Sequence, residues 1–282
     1  MIKAFSLVYR SDTPVALSLS TEVEEYLKDK GVKTIHTFSS LELSEGCFSK
    51  LKPLPDVVMV LGGDGTYLSA SRALVNLDIP LVGVNLGSLG FLTEHKSSEV
   101  FNILDEVLQG KLKKHHRSLL KVELFEGEKL ISSHKVLNDL CVERGARPQL
   151  VKLNIFSNEQ LVYDLKADGI VVSTPTGSTA YNLAAGGPII YPDANVLSIT
   201  PVSPHSLTSR PLVVPDDHKI CIELADGDQS ASFNLDGILI QEITPKHKLI
   251  ITKSESNIKV LKDPTHNYFS LLREKLKFGE RA

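Results

Sequence analysis

The sequence predicts an α/β N-terminal domain with an open, mostly parallel sheet, then a mostly-β C-terminal domain and a last helix. Three observations predict it. Strand-like and helix-like patterns alternate as far as about residue 114, the signature of strands joined by helical crossovers. Beyond a basic run at 111–117 the pattern changes to short strands broken by turn residues, as in an all-β layer. Within the first part, Val57, Val58, Met59, Val60 and Leu61 form an unbroken apolar run. Such a run reads as a strand buried on both faces, as in a parallel sheet.

Taken in order, residues 4–9 read as a first strand. Thr13 can cap a helix with Pro14 at its first position. Val15, Leu19, Val23, Tyr26 and Leu27 recur at helical spacing, and Gly31 ends the run. Residues 32–37 make a short second strand, and 41–55, with Gly46, Pro53 and Pro55, is irregular. The 57–61 strand runs into Gly62-Gly63-Asp64-Gly65-Thr66, where Thr66 opens a helical stretch with Leu68 and Leu74 on one side. Residues 80–84 are the next strand and lead into Asn85-Leu86-Gly87-Ser88-Leu89-Gly90-Phe91. Val100, Ile103, Leu104, Val107 and Leu108 mark an amphipathic helix closed by Gly110. The basic run from Lys111 to Arg117 reads as a solvated hinge, which places the domains at 1–114 and 115–264. In the second, Leu120, Val122 and Leu124 alternate before a turn at Glu126-Gly127-Glu128. Strands are expected at 135–142, 151–156, 161–166, 169–173, 197–200, 219–224, 232–235, 248–252 and 258–261. Residues 268–278 make the last helix, with Phe269, Leu272 and Leu276 on one face.

With 282 residues, 42% of them hydrophobic and 23% charged, the chain can form one large or two medium domains with ordinary cores. A net charge of −3 argues against a nucleic-acid binder held by bulk charge. Cys47, Cys141 and Cys221 are far apart and match no zinc spacing; they suit a reducing compartment. Residues 1–9 lack the layout of a signal peptide, and no apolar run reaches transmembrane length. The expectation is a soluble, cytoplasmic protein with no membrane or nucleic-acid partner. His115 and His116 are neighbours, so on a strand they face opposite sides and share no metal.

Four stretches have residue types that carry chemistry. In the first, Gly62 to Thr66, a tight turn between strand and helix points backbone N–H groups outward, where they can hold anions. It is neither of the two familiar phosphate loops: the G-x-G-x-x-G spacing fails at Leu68, and no Gly-Lys-Ser/Thr ending occurs in the chain. Asp64 would repel a phosphate lying directly on it, so three uses stay open: proton acceptor, metal ligand or helix cap. The second stretch, Asn85 to Phe91, is another glycine-rich turn after a strand, whose Phe91 can stack on a base or fill core. The third, Asn138-Asp139, sets an amide beside a carboxylate. That pair can take both hydroxyls of a ribose, because the carboxylate only accepts while the amide also donates; a strand-edge turn is the plain alternative. The fourth runs from Lys166-Ala167-Asp168-Gly169 through Ser173-Thr174-Pro175-Thr176-Gly177-Ser178-Thr179-Ala180-Tyr181-Asn182 to Gly187-Pro188. Ser178 or Thr179 can start a helix whose free N–H groups face a phosphate or carboxamide, and the run is too long to be one cap.

In this order and spacing the four stretches resemble the NAD kinase family, of bacterial type, over nearly the whole chain. The Gly-Gly-Asp-Gly-Thr turn by itself also occurs in diacylglycerol, sphingosine and phosphofructokinase-type kinases. The Thr-Pro-Thr-Gly-Ser-Thr-Ala-Tyr run is far more specific. The resemblance implies that the last helix returns to the first domain, so that 265–282 joins 1–114, and that the chain forms a homotetramer or homodimer. It implies transfer of a phosphoryl group from ATP to the 2′-hydroxyl of the adenosine ribose of NAD+, with a divalent cation such as Mg2+. Position by position, Asp64 is similar to the family's general base, and Gly62, Gly63, Gly65 and Thr66 to its phosphate-facing turn. Phe91 would pack near the adenine and Asn138 and Asp139 would hold a ribose. Asp168, with Lys166 close by, would face the nicotinamide. Thr179, Ala180, Tyr181 and Ala184 would line the adenosine end, and Asp64, Gly65, Gln149, Asn182 and Leu183 complete the NAD-binding positions. Two positions depart from the family: Asp139 stands where Glu is usual, one methylene shorter. Ile238 stands where many bacterial relatives have Gln after Asp-Gly, and it cannot make that amide's hydrogen bonds. The competing functions are a lipid kinase of the diacylglycerol or sphingosine type, which needs an exposed apolar face, and a dinucleotide-binding sensor without transfer activity.

Overall fold

The apolar run at 57–61 is a strand with all five residues buried, and the elements on either side of it follow its lead. In chain order they are β1 (Ala4–Tyr9), α1 (Pro14–Asp29), β2 (Thr34–Ser39), β3 (Val57–Leu61), α2 (Asp64–Leu74), β4 (Leu81–Asn85), β5 (His95–Lys96) and α3 (Val100–Leu108). Then come β6 (Lys113–Glu126), β7 (Lys129–Val136), β8 (Asp139–Glu143), β9 (Val151–Ser157), β10 (Gln160–Ala167), β11 (Gly169–Ser173) and the short helix α4 (Tyr181–Ala184). The chain ends with β12 (Val196–Val202), β13 (Leu212–Pro215), β14 (Ile220–Leu224), β15 (Ala231–Leu235), β16 (Ile238–Ile243), β17 (His247–Lys262) and α5 (Tyr268–Leu276). The computed structural model describes residues 2–145, 148–225, 230–265 and 267–277. It divides into two units, Met1–His116 with Ile258–Ala282, and Arg117–Asn257.

In the first unit the strands run β2-β1-β3-β4 and every pair is parallel. β4 also pairs in parallel with β5 and, at Val260, with β17. One face of this sheet, with Phe5, Leu7, Val57, Met59, Leu61, Val82 and Val84, packs on Val23 and Leu27 of α1 and Val100, Ile103, Leu104 and Val107 of α3. α2 lies against the other face: a Cβ at Gly83 would run into the Tyr67 ring. Both faces are covered, which is why β3 is apolar throughout and β4 is apolar up to Asn85, rather than alternating. The strand order reverses at β1/β3. In open parallel sheets ligands collect at such a switch, beyond the carboxyl ends of the strands, and those ends of β3 and β4 carry the two glycine-rich turns.

The second unit holds two antiparallel arrays around one core. Six strands run β13-β12-β11-β8-β15-β16, and β10, β9, β14 and the first part of β17 form another run. β6 pairs with β7. Period-two alternation decides which side chains meet the core. Leu140 and Val142 of β8, Ile170 and Val172 of β11, Leu197 and Ile199 of β12 and Phe233 and Leu235 of β15 all join it. The same alternation sends Asp139, Cys141, Glu143, Ser173, Ser198, Thr200, Ser232 and Asn234 to the opposite face. The register lines them up: Ser173 faces Asp139 and Ser198, and Asn234 faces Cys141.

Several elements differ from the sequence reading. The basic run is solvated only in part: Lys111, Lys113, Lys114 and His116 are exposed and the two units divide at His116/Arg117, but β6 already begins at Lys113 and Arg117 is buried, donating from Nη1 to Asp193 at 2.6 Å. The expected strand at 135–142 is broken at Leu137-Asn138, which separates β7 from β8. The expected strands at 248–252 and 258–261 are parts of the single long β17. β13 and β16 were not anticipated. α2 begins at Asp64 rather than Thr66. In α5 the packed residues are Leu271 and Leu272, whereas Phe269 is 56% exposed; Phe278, assigned to this helix from the sequence, lies outside the described residues.

Candidate active site

In the first unit Asp64 is the first residue of α2, with Gly63 as N-cap and no side-chain cap bond. The helix-cap reading therefore fails: the carboxylate reaches away from its own helix to the turn after β4. Oδ1 accepts from the backbone N–H groups of Leu92 and Thr93 and from the Thr93 hydroxyl, each at 3.1 Å. Among the described residues Oδ2 accepts only from Phe91 N–H, at 2.9 Å. A carboxylate has about four acceptor positions, two on each oxygen, so Oδ1 is saturated and Oδ2 keeps one position open. The turn is fixed from its other end by Asn85, which donates to the Thr93 hydroxyl at 2.7 Å and accepts from Gly87 N–H at 2.7 Å. Gly90 has to be glycine, because a Cβ there would collide with Oδ1 of Asp64. Gly62, whose N–H donates to Val84, and Gly63, whose carbonyl accepts from Tyr67 N–H, bring the chain into α2. The N–H groups of Asp64, Gly65 and Thr66 precede the first helical bond, Tyr67 N–H to the Gly63 carbonyl, and so have no partner within the helix.

In the second unit the chain from Thr174 to Pro188 covers the polar face of the six-stranded sheet. Thr174 N–H donates to the Asn138 carbonyl and its hydroxyl to the Leu137 carbonyl, at 2.9 and 2.6 Å. The segment presses so close that a Cβ on Gly177 would meet the Asn138 backbone. Ser178 donates to the Pro175 carbonyl and accepts from Ile190 N–H. Asn182 is fully buried: its amide donates to the Ser178 and Pro188 carbonyls, and its oxygen accepts from Thr200. Its side chain is spent on the scaffold. Thr179, Ala180, Leu183 and Ala184 are partly or fully exposed along the same segment. The Tyr181 hydroxyl donates to Glu143, whose other oxygen accepts from Asn234, both at 3.0 Å; burial and that carboxylate push the phenol up. Asp168 pairs with Arg144 at 2.7 Å. Lys166 is exposed near it in sequence, and Gln149 is exposed with no hydrogen bond among the described residues.

Asn138 and Asp139 sit where the broken strand enters β8, and neither is a free surface turn: they are 8% and 5% exposed. Their backbone is held by Asp236, which accepts from the N–H groups of Leu137, Asn138 and Asp139 at 3.2, 2.7 and 3.3 Å. Asp236 and Gly237 both have positive φ and make the two-residue turn of the β15–β16 hairpin. Among the described residues the Asn138 side-chain oxygen is buried without a partner, an acceptor they leave unmet. Glu143, Thr200, Asn234 and Asp236 were not read as site residues from the sequence. The alternation Asp139-Leu140-Cys141-Val142-Glu143 carried the signal for Glu143, and the Asp-Gly turn carried it for Asp236.

Burial first, and then the neighbouring Asp236 carboxylate, push the Asp139 carboxyl up to about 7, against the pull of Tyr181 N–H. The ordinary value is near 4, so the folded chain holds a proton there that the unfolded chain releases. The stability this contributes is full below about pH 4 and is lost as pH rises toward 7. Melting temperatures of the parent chain and Asp139→Asn, measured from pH 5 to 8, are expected to diverge: the parent loses stability across the range, and the amide, which cannot titrate, loses less. Parallel curves would remove the buried proton.

A parallel α/β unit with a glycine-rich turn at the end of its sheet and a β-rich unit with a buried polar face make a two-domain protein of a class with helix-start and polar surfaces suited to a phosphate-bearing ligand. Family comparison makes the class specific. Residues 5–112 match the model of the ATP-NAD kinase N-terminal domain, and 137–262 that of the ATP-NAD kinase C-terminal domain. The NAD kinase of Bdellovibrio bacteriovorus is 43% identical over 99% of this chain and 93% of its own length. That of Geotalea daltonii is 36% identical over 99% and 100%. Among solved structures, the yeast NADH kinase complexed with NADH aligns with a TM-score of 0.90 at 24% identity, over 100% of this chain and 89% of that one. An Archaeoglobus fulgidus NAD kinase in complex with ATP aligns at 0.74 with 23% identity, over 97% and 98%; at such identities both show the fold. The chain belongs to the NAD kinase family and is an enzyme of that kind. Neither the lipid-kinase nor the sensor reading finds support in these matches. No helix among the described residues is long and apolar enough to cross a membrane.

Proposed function

We propose that the chain transfers the γ-phosphoryl group of ATP to the 2′-hydroxyl of the adenosine ribose of NAD+, with Asp64 as general base. The observation that carries this is the state of the Asp64 carboxylate: fixed at Oδ1 by three donors and open at one position of Oδ2. The ribose oxygen attacks the γ-phosphorus, the bond from that phosphorus to the β–γ bridging oxygen breaks, ADP leaves, and the hydroxyl proton passes to Oδ2. A ribose hydroxyl is a weak acid, so the proton moves late, as the new P–O bond forms. Phosphoryl transfer is catalysed mainly by positioning and charge neutralisation, and a positioned base adds about 10²–10⁴-fold.

The other roles follow the chemistry of each place. Gly63, Gly65 and Thr66 would offer backbone N–H groups to phosphate, Gly62, whose own N–H is taken by Val84, would keep the turn close to Thr66, and Phe91 would offer an aromatic edge to adenine. Asn138, with its unpartnered oxygen, and Asp139 would hold ribose hydroxyls. Asp168 and Lys166 would face the nicotinamide end, and Thr179, Ala180, Tyr181, Leu183 and Ala184 the adenosine end. Asn182 would act by holding that segment on the sheet, and Gln149 would lie at its margin. Ile238, 45% exposed, offers a ligand only apolar contact where an amide would bond.

Among the described residues no group of three His, Cys, Asp or Glu could hold a metal ion. That fits Mg2+, which is usually held by one or two carboxylates together with substrate phosphates. The chain's share would be at most Asp64, and the ion would neutralise charge on the phosphates. Free cysteines at 47, 141 and 221 support a cytoplasmic location. The exposed apolar residues Leu212 and Val213 on edge strand β13 and Leu239 on edge strand β16 support a homodimer or homotetramer.

Pure protein incubated with ATP, Mg2+ and NAD+, with NADP+ read by an NADP-specific dehydrogenase, is expected to give NADP+ in step with ADP. ADP formed without NADP+ would overturn the acceptor, and no turnover at all would overturn the reaction.

A further inference from the structure

α5 presents a cation where a packed helix face ordinarily carries an apolar residue. Leu271 and Leu272 are its buried residues. Lys275 follows them by four and three positions, so it lies on the same face, half-buried, while Arg273 and Glu274 are exposed. Its ammonium stands 5.5 Å from the centroid of the Phe91 ring. The adjacent carboxylate, Glu274, is taken by Lys96 at 3.2 Å, and Lys275 has no ion-pair partner among the described residues. Phe91 belongs to the turn bonded to Asp64, at the carboxyl ends of β3 and β4. That end of the sheet carries helix-start N–H donors but no lysine of its own in the Gly62–Thr66 turn, and Asp64 adds a negative charge there.

We propose that Lys275 is a phosphate-binding residue of this turn, reaching from the C-terminal helix to supply the positive charge that the turn lacks. The ring of Phe91 holds the ammonium without neutralising it, so the charge stays available to an anion. The ligand class is a nucleotide polyphosphate. Its source is either the triphosphate of the phosphoryl donor or the diphosphate bridge of the dinucleotide; the two names rest on the reaction proposed above, while the binding chemistry does not.

The test is calorimetric binding of ATP and, separately, of NAD+ to the full-length protein with Mg2+ present. The proteins are the parent, Lys275→Met, Lys275→Arg and the control Arg273→Met, which removes a cation from the exposed face of the same helix. A charge-assisted contact to phosphate predicts that Lys275→Met weakens one nucleotide by about 10- to 100-fold. Lys275→Arg recovers most of that loss and Arg273→Met stays close to the parent. Loss confined to ATP assigns the triphosphate; loss confined to NAD+ assigns the diphosphate bridge. The proposal is overturned if Lys275→Met binds both nucleotides like the parent, or if its loss is not recovered by arginine, since packing alone then explains it. A parent that binds both nucleotides but makes no NADP+ overturns the reaction and leaves Lys275 in place; a parent that binds neither overturns both.

Discussion

Asp64→Asn is expected to lower kcat by about 10²–10⁴-fold while leaving NAD+ affinity near that of the parent. The amide cannot take the proton that the open position of Oδ2 would receive. It also turns one acceptor oxygen into a donor, so one of the four bonds holding the 91–93 turn is lost, at about 1–3 kcal/mol of stability. These two effects must be separated, because Asp64 could matter only as the anchor of that turn. Thr93→Val does so: it removes the hydroxyl that donates to Oδ1 and accepts from Asn85 but leaves the carboxylate intact. If Asp64 is the base, Thr93→Val lowers the melting temperature and spares kcat to within a few-fold. If Asp64 is only an anchor, both variants lose kcat in proportion to the stability they lose. An Asn variant with near-parental kcat would end the general-base account outright, and titrating Mg2+ against it would expose a metal-ligand role as a shift in the concentration needed.

The parts of this molecule that the chain announces are those where local chemistry and burial agree. β3 was legible because a strand covered on both faces must be apolar throughout, and the turn after it because three glycines cluster there, of which Gly62 has no room for a Cβ beside Thr66. The partners of Asp64 were not legible. They are backbone N–H groups 27 to 29 residues away, and a backbone donor leaves no mark on the residue type that carries it. Arg117 was misread for a related reason. Six basic residues in a run of seven look solvated, yet strand parity turns Arg117 inward, and its partner Asp193 is 76 residues distant. β17 was read as two strands because Lys253, Glu255 and Asn257 interrupt its apolar residues. β16 is an edge strand paired through a bulge near Phe233/Asn234, which blurs the alternation that would reveal it. In the β-rich unit the Thr-Pro-Thr-Gly-Ser-Thr run was conspicuous, but which of its side chains are spent on the scaffold, as Asn182 is, emerges only from the sheet beneath it.

The largest stability effect is expected at Asp236, a residue that need touch no ligand. Its carboxylate is the acceptor for three successive backbone N–H groups, those of Leu137, Asn138 and Asp139, at the point where the broken strand enters β8. Asp236→Ala would leave those donors facing nothing in a partly buried place. Each unmet donor costs about 1–3 kcal/mol, and alanine at positive φ adds roughly 1–2 kcal/mol that aspartate largely escapes. Even allowing for water reaching one of the groups, the melting temperature should fall by on the order of 10 °C. Asp236→Asn keeps an oxygen and tolerates the backbone, so it should fall less. It also removes the like charge beside Asp139, so the Asp139 carboxyl moves part of the way back toward its ordinary range, and only part, because burial is the larger cause. The decline of stability between pH 5 and 8 should therefore flatten in Asp236→Asn without vanishing. An alanine variant melting within about 2 °C of the parent would show that the Asn138-Asp139 backbone does not depend on this carboxylate. An unchanged pH slope in the asparagine variant would show that Asp139 does not feel its charge.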